Sequence, residues 1–172
     1  LCFFSPIAHP TVMFRRDVVI NANGYNLEML HCEDYDLWHR LSNKTRLANL
    51  PELLFKLRKH ETNSSLIFSE IQLKNSIVIS QKMISRLIEY EISDSLISKM
   101  WSKNIKSKDR VLVADLIFKI FKSINNKFDI LLNDRKYLKR DLSIKISNLI
   151  HIKNIKTWKY ILYIIYIDPL FF

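Results

Sequence analysis

The decapeptide His31-Cys32-Glu33-Asp34-Tyr35-Asp36-Leu37-Trp38-His39-Arg40 sets three carboxylates within four positions, ahead of an apolar run. Carboxylates so placed do one of two things. At a helix N-terminus they offset exposed N–H groups and the positive end of the dipole. In a cleft, one of them takes the proton of a hydroxyl as that hydroxyl attacks an electrophile. The spacing of Leu37, Trp38 and Leu41 predicts a one-sided helix of two to three turns from Glu33, with Glu33 and Asp34 at its N-terminal end. The two roles are compatible, since a helix N-terminus keeps a base ionised and fixed in direction. Asp36, further along, reads as a solvated carboxylate. Trp38 reads as core behind the site, with stacking on a ligand as the other reading. His31 and His39 flank the helix at a spacing that fits no metal template.

Several elements must hold this helix. Residues 11–14, Thr-Val-Met-Phe, have the apolar, partly β-branched character of a buried strand, and a helical turn follows through Ala22. Asn23-Gly24 then requires a tight turn with positive φ. Residues 45–50 and 53–58 read as two strands around Pro51-Glu52, and 59–65 as a polar loop. Beyond Leu66 the three- and four-residue spacing of Ile and Leu predicts helices over about 67–98, 110–124, 134–150 and 155–167.

Composition narrows the chemistry. With 172 residues, 48% of them hydrophobic, the chain can bury a real core and suggests one domain with an appendage. Gly24 is the single glycine, which excludes a Walker A loop, a GxGxxG fingerprint and a GxSxG elbow. HExxH is absent too. Cys2 and Cys32 lack CxxC spacing, which argues against structural zinc and points to a reducing, cytoplasmic setting. The net charge of +10 is unevenly spread: up to Ser98 the chain has 11 Lys and Arg against 11 Asp and Glu, and from Lys99 onward 16 against 6. A near-neutral portion is thus followed by a basic one suited to an anionic surface.

The ordered series Pro10-Thr11-Val12-Met13-Phe14-Arg15-Arg16, Gly24-Tyr25, Glu33-Asp34-Tyr35-Asp36-Leu37-Trp38 and Arg58-Lys59-His60 resembles the acceptor-side, C-terminal half of family 2 glycosyltransferases with the GT-A fold, of the type found in bacterial surface-polysaccharide assembly. The resemblance covers about residues 6–66. It implies an α/β, Rossmann-like fold for residues 1–66 and an inverting transfer from a nucleotide-diphosphate sugar to a saccharide or lipid-linked acceptor. Asp34 falls at the position of the general base, with Glu33 positioning it or the acceptor. Arg58 and Trp38 become candidates for substrate or donor contacts, Arg58 through its fork of donors to phosphate oxygens. His60 becomes a candidate ligand of Mn²⁺ or Mg²⁺, the other reading being a surface histidine in a basic loop. No Asp-x-Asp donor motif occurs near the start, so the nucleotide-binding half is expected to precede Leu1 and this chain alone to be inactive.

Residues 67–172 form a basic helical extension outside the motif series. Lys153, Lys156 and Lys159 beside Trp158 to Ile167 suit the interface of an anionic membrane, at the inner face of the cell membrane. The apolar run is too short to span a bilayer and meets Asp168-Pro169. A terminal helix packed on the rest of the protein would look similar. The competing function is a basic helical module without catalysis that binds nucleic acid or anionic membrane. Charge alone supports nucleic acid, but no RNP motif, zinc finger or basic zipper accompanies it, and it leaves the acidic series unexplained.

Overall fold

A computed structural model describes residues 1–58, 67–102, 104–149 and 158–168. Its regular elements are a 3-10 turn, His9–Thr11, and the helices α1 (Arg16–Asn21), α2 (Glu33–Ser42), α3 (Ser69–Ile88), α4 (Asp94–Trp101), α5 (Ser107–Lys127), α6 (Leu132–Ser147) and α7 (Trp158–Ile167). The expected α/β class is therefore corrected: among the described residues there is no strand or sheet. Val12 and Arg15 do have extended backbones, with φ and ψ of −84° and 144° and of −76° and 125°. Segments 11–14, 45–50 and 53–58 nevertheless form no ladder with one another. A strand pattern becomes a strand only where a second backbone takes its N–H and C=O groups. Unpaired, these segments leave large apolar side chains in solvent, Met13 at 98% exposure and Leu53 fully.

The chain divides into two compact units, residues 1–83 and 84–172. The boundary expected at 66/67 borders residues 59–66, which lie outside the described residues.

In the first unit α1 ends in a Schellman motif, in which Gly24 N–H donates to Val19 O at 2.9 Å and Asn23 N–H to Ile20 O at 2.8 Å. Asn23 and Gly24 have φ of 65° and 59°, the left-handed geometry expected of Asn-Gly. A Cβ on Gly24 would meet nothing within 4 Å, so backbone conformation rather than space favours glycine there. Leu37, Trp38 and Leu41 of α2 bury against Val19 and Ala22. Chain reversal before α2 uses His31, at φ 62°, whose ring stacks on Phe68 at 3.6 Å between centroids. Helix α3 ties down the same region: Asn75 Nδ2 donates to Leu30 O at 2.9 Å, Ser76 Oγ lies 3.3 Å from Cys32 Sγ, and Ser80 Oγ donates to Cys2 O at 2.6 Å.

In the second unit the expected continuous helix over 67–98 is interrupted. Glu89 takes φ 55°, Tyr90 N–H donates back to Ser85 O at 3.1 Å, and Ser93 then caps α4 by accepting from Leu96 N–H at 3.4 Å. Helices α5, α6 and α7 pack on one another around Ile120, Leu142, Ile146, Ile164 and Ile167. Phe118 stacks on Tyr163 at 3.9 Å, and Tyr163 Oη donates to Asp115 at 3.0 Å. No helix among the described residues is long and apolar enough to cross a membrane.

Candidate active site

Helix α2 carries the acidic cluster, and its placement depends on a polar clamp. Asp36 is buried, not solvated as its sequence context suggests: its Oδ2 accepts from Arg40 Nε at 2.8 Å. The guanidinium so held also places Nη2 2.8 Å from the same Asp36 oxygen and reaches the end of α1, Nη2 donating to Gly24 O at 2.6 Å and Nη1 to Ala22 O. One i,i+4 ion pair thereby fixes α2 against the end of α1, and with it the direction in which the first turn of α2 faces. Tyr35 adds a second tie, its hydroxyl donating to Leu1 O.

At the N-terminal end, Glu33 is exposed and Asp34 half-buried. One carboxylate oxygen of Asp34 accepts from Tyr35 N–H at 2.7 Å, an orphan donor of the first turn. Trp38, one turn on, is 2% exposed, and among the described residues its indole Nε1 has no hydrogen-bond partner. Trp38 also lines a cleft of about 700 Å³ whose walls include Val12, Phe14, Arg15, Arg46 and Phe55. Asp34 and Glu33 are not among the residues that line this cleft.

Two residues near the acidic pair are given no role by the sequence, although Tyr25 belongs to the Gly24-Tyr25 turn. Tyr25 Oη and His9 Nε2 are 2.9 Å apart, and the His9 ring lies 6.4 Å from that of Trp38. Burial, then Asp34 and Glu33, push the Tyr25 hydroxyl above its ordinary pKa, so the phenol lies within the field of both carboxylates. The sequence could have offered only the Gly24-Tyr25 turn as a pointer.

The other candidates fall apart from this group. Arg58 is exposed on the irregular segment that precedes residues 59–66, and the cleft lining stops at Phe55. His60 lies outside the described residues. No three His, Cys, Asp or Glu side chains among the described residues converge to hold a metal ion, so the described part does not by itself form a metal site.

The chain is similar to glycosyltransferases. Over 67 residues, 37% of this chain and 26% of the relative, it is 40% identical to the O-antigen biosynthesis glycosyltransferase WbnJ of Escherichia coli. Over 55 residues, 31% of this chain and 20% of the relative, it is 44% identical to the amylovoran biosynthesis glycosyltransferase AmsE of Erwinia amylovora. Over 86 residues, 49% of this chain and 27% of the relative, it is 29% identical to an uncharacterized glycosyltransferase of Haemophilus influenzae. The aligned part of the chain spans about a quarter of the length of these curated relatives. No family profile and no solved structure matches. Two of these relatives are named for O-antigen and amylovoran biosynthesis.

Proposed function

We propose that this chain supplies the acceptor side of an inverting, family 2 type glycosyltransferase, with Asp34 as general base. Similarity to polysaccharide glycosyltransferases carries the reading, and the clamped N-terminus of α2 gives it a physical form. Asp34 takes the proton of an acceptor hydroxyl while the oxygen bonds to the anomeric carbon of a nucleotide sugar. The bond from that carbon to the diphosphate breaks on the opposite face, and the nucleoside diphosphate leaves with the electron pair. Glu33 orients the acceptor, Trp38 backs the site, and Arg58 pairs with diphosphate oxygens. His60 would be the residue to help hold Mn²⁺ or Mg²⁺, which would offset charge on the donor diphosphate. The test is turnover by a protein of the relatives' length that contains this sequence. Asp34→Asn keeps shape and loses basicity, and it should lower the rate by about 10²–10⁴-fold; activity within threefold of the parent removes Asp34 from the reaction. In the same assay His60→Ala should raise the metal concentration required.

A second reading concerns the basic unit, which we propose works at the cytoplasmic face of an anionic membrane. Residues 84–172 hold 17 Lys and Arg against 9 Asp and Glu. Ile164 and Ile167 of α7 are consumed in the core of this unit while Leu162 and Tyr166 stay exposed, and a second exposed apolar group lies at the turn between α5 and α6 and the start of α6. Phe128, Leu131, Leu132 and, further along α6, Tyr137 are 56–84% exposed there, among Asp129, Asp134 and Lys136. Exposed apolar side chains on a unit of net basic charge match an anionic lipid interface. Flotation with phosphatidylglycerol vesicles should carry the chain, and Leu131→Glu with Leu132→Glu should release it. Equal flotation with neutral vesicles, or preference for RNA, overturns this reading.

A further inference from the structure

We propose that His9 and Tyr25 form a positioning pair that receives the acceptor sugar beside Asp34, a reading that rests on the sugar-transfer function above. The two residues come from separate segments, the 3-10 turn His9–Thr11 and the turn that follows α1. Their hydrogen bond is 2.9 Å, and their rings meet edge to face at 5.7 Å between centroids. Asp34 and Trp38 are four residues apart on α2 and so share a face of that helix. His9 sits against Trp38, which aligns the pair with the face that carries the base.

Neither side chain is there to stabilise the fold. Both are exposed, Tyr25 at 38%, and an exposed hydrogen bond of this kind contributes about 1 kcal/mol or less. Their surroundings are rigid nonetheless. The carbonyls of Ala22 and Gly24, just before Tyr25, are both held by Arg40, and Trp38 beneath His9 is buried. A surface pair held this firmly is pre-organised for a ligand. A sugar ring needs an apolar plate for its C–H face and an adaptable partner for its hydroxyls, and a phenol bonded to an imidazole supplies both. The Tyr25 oxygen can accept from one sugar hydroxyl while its own proton is directed to His9 Nε2. The neighbouring hydroxyl is then presented toward Asp34.

The test separates the pair from the base. Methyl glycosides of glucose, galactose and N-acetylgalactosamine are titrated into the full chain and followed by saturation-transfer NMR. At least one should bind, with Tyr25→Phe and His9→Ala weakening it about five- to tenfold, as expected for loss of one directed hydrogen bond. His9→Gln, whose amide reaches the place of Nε2, should restore binding to within threefold. Turnover of Asp34→Asn tests the base independently, so a failed base with an intact Tyr25 effect leaves the pair standing. Absence of any saturation transfer in the parent chain, or equal affinities for parent, Tyr25→Phe and His9→Ala, overturns the proposal. So does a fall in the melting temperature of Tyr25→Phe as large as that caused by Arg40→Met, because the pair would then be structural.

Discussion

Helix α2 of the first unit and helix α6 of the second are both held in place, by means that differ in part. Helix α2 adds directed contacts to its buried Leu37, Trp38 and Leu41: Arg40 to two carbonyls of the α1 turn, Tyr35 to Leu1 O, and Cys32 beside Ser76. Helix α6 is fixed by shape, through Leu142 and Ile146, both fully buried among the apolar residues of α5 and α7. Apolar burial sets how firmly an element is held and tolerates small rotations. Hydrogen bonds to fixed carbonyls set direction, which a helix needs if a carboxylate at its end is to meet one hydroxyl. Both helices thus rest on apolar burial, and the polar clamp is what α2 adds for the acidic cluster.

Mutation can break that contrast. Ile146→Ala should have the largest effect on stability, about 2–5 kcal/mol by chemical denaturation, since it leaves a cavity in a packed core. It should leave the His9 and Tyr25 resonances unmoved. Arg40→Met should cost less, about 1–3 kcal/mol for Asp36 and two carbonyls left in want of a partner, yet it should shift those same resonances. If Ile146→Ala perturbs the His9–Tyr25 pair more than Arg40→Met does, the distinction between firmness and direction fails.

The smallest expected effect is on the alkaline pH dependence, and it sharpens the comparison because Cys2, Cys32 and Tyr35 all lie in the first unit. Burial raises the pKa of Cys2, Cys32 and Tyr35, in Tyr35 helped by the two thiols. In the unfolded chain the thiols ionise near the ordinary 9.0, whereas the folded chain keeps their protons. Their contribution is thus whole below about pH 9 and is lost as pH rises further. Denaturation midpoints should fall between about pH 8 and pH 10, and Cys2→Ala with Cys32→Ala should flatten the decline.

What could be read from the sequence follows from how local each determinant is. The start of α2 at Glu33 and the left-handed Asn23-Gly24 turn were legible, because their signals lie within a few residues. The break at Glu89 was not, although Ser93-Asp94 is a helix-start signal, because apolar spacing continues across it. Strand patterns at 11–14, 45–50 and 53–58 misled for the opposite reason: a ladder needs a partner backbone that no local pattern supplies. Asp36 looked solvated because its burial depends on carbonyls contributed by Ala22 and Gly24. The i,i+4 spacing of Asp36 and Arg40 was the one available hint. His9 and Tyr25, sixteen residues apart, were brought together only by the fold.

The Asn23-Gly24 turn also bears on how the protein ages. Asn-Gly dipeptides deamidate when the glycine backbone nitrogen attacks the asparagine side-chain carbonyl, closing a succinimide ring and releasing ammonia. Here that nitrogen is engaged with Val19 O at 2.9 Å, and the turn around it is gripped by Arg40. The folded chain thus shields a dipeptide that the unfolded chain exposes, and conversion of Asn23 to aspartate or isoaspartate during storage becomes a chemical clock for the opening of the first unit.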